Sequence, residues 1–173
     1  MKNRSEEYIP LVVTVGQVAI SPYYIVWLKE VSLTFTLFAW LFAAFSFAAA
    51  WGYRVFQSKK NKNNSYMPFI YVGMGIVYIL VGCIKNSFEI LLYAVLLLQV
   101  ILGFLQGFFR AWHIEQKAYH LQTVHHYLIV GVTMIGLSFV KIISPVVFVT
   151  FFGILLCACG FWTLIRKKEA ELI

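Results

Sequence analysis

The chain has 173 residues, 61% of them hydrophobic and only 12% charged, about half the charged share of a soluble domain, which excludes a water-soluble globule. The net charge of +7 comes from Lys and Arg gathered between apolar segments, an orientation signal and not a nucleic-acid surface. There is no Asp, and the acids near a membrane are Glu30, Glu89 and Glu115, so paired-carboxylate hydrolysis and intramembrane aspartyl proteolysis are excluded.

In chain order the apolar segments predict an all-α, polytopic transmembrane helical bundle of six spans, at 8–28, 31–56, 67–84, 88–109, 124–140 and 145–165, forming a single transmembrane domain. The first segment is interrupted by Pro10, Gln17 and Pro22, so five spans with a re-entrant or interfacial first segment is the alternative. Lys2 and Arg4 ahead of this run resemble a secretory signal, but Pro22 directly follows the small pair Ala19 and Ser21, and the segment is read as retained.

With six spans, both termini are expected in the cytoplasm. That side then carries eleven Lys and Arg (Lys2, Arg4, Arg54, Lys59, Lys60, Lys62, Arg110, Lys117, Arg166, Lys167, Lys168) against Lys29, Lys85 and Lys141 outside. Removing the first span weakens this bias. The three outer lysines lie 56 residues apart, as do Arg54, Arg110 and Arg166, and Ala19, Gly75 and Gly131 share the register. The pattern predicts three antiparallel hairpins, produced either by duplication or by a constant membrane thickness.

Helices associate in lipid through close packing and polar contacts, so small residues at helical spacing mark the expected contact faces. These are Ala44, Ala48 and Gly52; Gly103 and Gly107; and Thr150, Gly153, Cys157 and Gly160. Tyr71, Gly75, Tyr78 and Gly82 predict one continuous face ending at Lys85, with Glu89 one turn beyond as its local ion-pair partner. The three cysteines at 83, 157 and 159 fit neither a disulfide framework nor a zinc pattern, and Cys157 reads as a small packing residue.

The chemistry-bearing residues cluster late in the chain. Gln99, Gly103, Gln106 and Arg110 occupy one stripe that continues through His113, Lys117 and His120 if the helix extends, and His125 and His126 open the next span. Two glutamines inside a span must face protein or water, so a polar, basic cavity is expected on the inner side. Three ligand classes suit it: haem b or a quinone, with Arg110 and Lys117 meeting propionate or carbonyl oxygens; a metal held by His120, His125 and His126; or a solute or anionic headgroup. Against these stands a purely anchoring role for His, Trp112 and Tyr119 at the headgroup level.

The run HLQTVHH resembles the histidine boxes of membrane di-iron hydroxylases and desaturases, families that need about eight histidines where this chain has four. The stretch LLLQVILGFLQGFF followed by HHYLIVGVTMIGL resembles helix pairs of b-type membrane cytochromes and haem A synthases, in which a histidine opening a helix ligates haem. This resemblance covers about a quarter of the chain and implies a cofactor-binding inner end. No other span contains a histidine, so a second haem ligand would come from the loop or a partner.

The leading expectation is a small accessory or anchor subunit of a larger membrane complex, a respiratory or other electron-transfer assembly, with no catalytic centre of its own. Its partners would be lipid and other membrane subunits, not nucleic acid, and its cofactor-binding candidates are His113, His120, His125, His126, Arg110, Gln99 and Gln106. The alternative is a membrane-embedded solute-binding or transport component, favoured by the hairpin repetition and the stripe at Gln99.

Overall fold

A computed structural model describes residues 4–30, 34–59, 66–84, 90–115, 128–133, 135–136 and 144–171. Among these residues the chain is all-helical: α1 (Arg4–Glu30), α2 (Phe35–Ser58), α3 (Met67–Cys83), α4 (Ile90–Glu115), α5 (described over 128–133 and 135–136) and α6 (Pro145–Glu171). Four of these helices are long and apolar enough to cross a membrane, through Ile9–Trp27, Phe35–Ser58, Tyr93–Glu115 and Pro145–Arg166. The apolar helix α3 is shorter, and its 17 residues rise about 25 Å. Most of the expected fifth span, 124–140, lies outside the described residues, as do Lys85, Glu89 and Lys141.

Both prolines of the first segment sit within α1, which continues through them without a break. Pro22 has no N–H to give the carbonyl of Val18, and the Ser21 hydroxyl donates to that same carbonyl at 2.7 Å. Further back, the Thr14 hydroxyl donates to Pro10 O and Leu11 O within the same helix, at 2.9 Å each. The Pro22 interruption therefore carries its own repair. Ser21→Ala strips the Val18 carbonyl of its donor and is expected to cost about 1–3 kcal/mol in thermal unfolding, with Ser21→Thr restoring most of the loss.

The remaining helix starts follow from local chemistry. Thr34 caps α2, its Oγ1 accepting from Leu37 N at 3.3 Å. Pro68 and Pro145 stand in the first turns of α3 and α6, where the missing N–H removes no helical bond.

Two small-residue seams organise the bundle. In the first, α2 lies along α4, with Gly103 against the Phe45 backbone carbonyl, Gly107 against that of Ala49, and Gly52 against that of Phe104. In the second, α3 lies along α6, where Gly75 meets Gly153 and Cys157, and Gly82 meets Thr150. Such contacts bring backbones together, as expected where lipid supplies no apolar drive for association. Cys157 sits on this seam with Sγ 3.9 Å from Val72 O, the packing role expected of it.

The contacts also fix helix direction. Pairing 103 with 45 and 107 with 49 makes α2 and α4 parallel, while pairing 75 with 153 and 82 with 150 makes α3 and α6 antiparallel. Tyr71 on Phe109 and Tyr78 on Gln106 set α4 antiparallel to α3. Gly16 on Phe152 and Tyr23 on Phe148 set α1 antiparallel to α6. Thus α1 and α3 run one way, and α2, α4 and α6 the other. The start of α1 and the ends of α2, α4 and α6 share one end of the bundle, which carries Arg54, Lys59, Arg110, Arg166 and Lys168. There Lys59 Nζ lies 4.0 Å from the Tyr66 ring centre and 5.2 Å from that of Phe108, tying α2, α3 and α4 together.

Two expectations need correction. From α1 to α4 the directions alternate as hairpins require and α3 meets its sequence neighbour α4, but the closest packing among the described residues joins α2 to α4 and α3 to α6, and α1 leans on α6 and α3. The face of α3 also divides: its glycines contact α6, while Tyr71 reaches Phe109 of α4, and Tyr78 lies between Gln106 and Phe152.

Candidate binding cleft

Because α1 is held by α6 and α3, a cleft remains between it and the α2–α4 pair. It encloses about 570 Å³ and is lined by Leu11, Thr14, Gln17, Val18, Ile20, Ser21, Tyr24 and Ile25 of α1, Phe42 and Phe45 of α2, Tyr78 of α3, and Gln99, Leu102, Gln106, Phe109, Arg110, His113 and Ile114 of α4. Four of the expected site residues, Gln99, Gln106, Arg110 and His113, are brought together here. The other three, His120, His125 and His126, lie outside the described residues, as do Lys117 and Tyr119.

Helical spacing explains the convergence. On α4, residues 99, 106, 110 and 113 are separated by seven, four and three positions and so share a face. On α1, Thr14, Gln17, Ser21 and Tyr24 are separated by three, four and three, a polar stripe in an otherwise apolar helix. The two helices run in opposite directions, so Tyr24 stands at the Gln99 level and Thr14 at the Arg110 level. At 1.5 Å per residue the cleft extends about 20 Å along the bundle. Gly103, placed on the same stripe by sequence, instead turns to Phe45 and closes the α2 seam.

The deep end is neutral, buried and incompletely paired. Gln106 Nε2 donates to Tyr78 Oη at 3.0 Å, which leaves the Tyr78 hydroxyl proton for another acceptor. Gln99 is 2% exposed, and its amide has no hydrogen-bond partner among the described residues. The Tyr24 hydroxyl is the one side-chain polar atom among the described residues that is buried without a partner. Its ring lies 5.7 Å from Trp27 and edge-on to Tyr78 at 6.0 Å, so the hydroxyl is held where it is. A buried phenol hydroxyl without a partner is unusual, since it costs about 1–3 kcal/mol when left unpaired.

The other end is basic. His113 stacks on Phe109 at 5.8 Å, and no carboxylate among the described residues lines the cleft or pairs with Arg110. Trp112 is buried in the core. Among the described residues no three His, Cys or acidic side chains gather to hold a metal, and His113 is the one described histidine in the lining. Among the described residues haem iron would find a single histidine here. A quinone head would find amide and phenol donors on two sides.

Sequence reasoning missed Gln17, Tyr24 and Tyr78. Gln17 was read as a defect of the first span and Tyr78 as a packing residue, although the three-four-three spacing on α1 was the available signal. No protein-family model, no curated protein and no solved structure matches this chain.

Proposed function

We propose that this chain is a membrane-embedded solute-binding component of the kind used in transport, a single transmembrane domain whose ligand occupies the cleft between α1 and the α2–α4 pair. One observation carries the reading: amides and phenols from three helices converge on the cleft with the buried Tyr24 hydroxyl unpaired, an arrangement that destabilises an empty bundle and is relieved by a hydrogen-bonding guest. The parallel course of α4 and α6 supports a return crossing by the residues between them, and hence six spans. The basic end shared by the start of α1 and the end of α6 supports cytoplasmic termini.

A second reading is a respiratory or other electron-transfer subunit binding a quinone or haem b. It draws support from His113 beside Arg110 in the lining and from Phe35, Trp40, Phe47 and Trp51, which α2 turns outward as a broad aromatic face for a neighbouring chain.

One preparation separates the two. Purified in lipid nanodiscs, the protein should be colourless and should gain thermal stability from a polar solute, by about 2.7 kcal/mol at a hundred times its dissociation constant. Co-purification with cytochrome subunits and a Soret band would replace the first reading with the second. No response to a panel of neutral, anionic and cationic solutes would remove it.

A further inference from the structure

Resting on the reading of the cleft as a ligand site, we infer that its natural occupant is an anionic amphiphile that enters sideways from the bilayer, with its anionic group at Arg110 and an oxygen-bearing far end at Gln99 and Tyr24.

Charge fixes one end. With no described carboxylate in the lining, the guanidinium of Arg110 is the permanent charge of the cleft, and a carboxylate or phosphate gains a charge-assisted bond that an amine cannot. The wall fixes the middle and the path. Between the polar ends the cleft is apolar and aromatic, and its rim between α1 and α2 is made of the exposed residues Val18, Ile25 and Phe42. At this depth such a rim meets acyl chains, so it admits a lipid-like chain more readily than a hydrated ion.

The far end needs an oxygen. A plain hydrocarbon tail would leave the Tyr24 hydroxyl unpaired and offer nothing to the Gln99 amide, whereas a hydroxyl or carbonyl supplies a hydrogen-bond partner at this end. Gln99 and Arg110 are eleven residues apart on α4, about 16 Å at 1.5 Å per residue, the length of an extended chain of about a dozen carbons.

Titration calorimetry in phosphatidylcholine nanodiscs, against empty discs to subtract partitioning, tests this with dodecanoate, ω-hydroxydodecanoate, dodecylamine and succinate. Dodecanoate should bind, ω-hydroxydodecanoate about tenfold tighter, and dodecylamine not at all. Arg110→Gln should weaken both acids by roughly tenfold to a hundredfold, with Arg110→Lys intermediate. Gln99→Leu should bring ω-hydroxydodecanoate down to the affinity of dodecanoate.

Equal binding of dodecylamine, or an acid preference that survives Arg110→Gln, overturns the inference. If succinate or another short solute binds in a Gln99-dependent way and the long acids do not, the amphiphile is wrong and the solute site stands. If no probe binds, both fall.

Discussion

Gly107→Val is expected to separate α2 from α4 and to lower stability more than any other single change considered. A Cβ at Gly107 runs into the backbone carbonyl, carbonyl carbon and Cα of Ala49, none of which can rotate aside. Overpacking a well-fitted site costs about 1–3 kcal/mol when side chains absorb it, and a backbone obstacle places this change at the upper end or beyond. The α2–α4 seam also forms one wall of the cleft, through Phe42 and Phe45 opposite Leu102 and Gln106. Loss of folded protein and loss of ligand binding should therefore occur together.

Gly131→Ala is the internal control. A Cβ there meets nothing within 4 Å, and removing a helical glycine gains about 0.5–1 kcal/mol of propensity. The comparison is made by thermal unfolding in the same lipid, and equal midpoints for the two variants would refute the seam.

These two glycines also mark what the sequence could and could not reveal. Spans were readable because twenty or so apolar residues in succession leave few options but a helix in lipid, and the four long helices fall where hydropathy put them. The small residues announced that Gly103, Gly107, Gly75 and Gly153 would lie at close contacts. They did not say with which helix, because lipid solvates every apolar face alike and partner choice depends on detailed shape.

The 56-residue register misleads for the same reason. Ala19 is buried, Gly75 is clamped against α6 and Gly131 is open, so equal spacing does not give equal packing among the described residues. Half of the cleft was legible, because glutamines inside a span demand an explanation. Its facing stripe on α1 was not, since Pro10, Gln17 and Pro22 read as interruptions of a span, while isolated Thr14, Ser21 and Tyr24 carry no signal until the helix is known to continue through both prolines.

Gln99→Leu should separate stability from function in a way that a structural residue cannot. Leucine is close in size and brings no polar group, so the variant loses an amide that lines the cleft without a hydrogen-bond partner among the described residues and packs apolar atoms in its place. The empty protein is expected to unfold at an equal or higher temperature, with a gain of up to about 1–3 kcal/mol. Binding of any ligand that uses the deep end should meanwhile weaken about tenfold, the worth of one buried hydrogen bond.

Gln106→Leu makes the contrast. It deprives Tyr78 Oη of its 3.0 Å donor and should destabilise the empty protein by about 1–3 kcal/mol while also weakening the ligand. Opposite stability changes at two glutamines two turns apart on one helix, with affinity lost at both, would identify Gln99 as retained for its guest and Gln106 as shared between guest and fold. If Gln99→Leu instead destabilises the empty bundle as Gln106→Leu does, its amide has a structural partner, and the cleft loses its main claim to be a binding site.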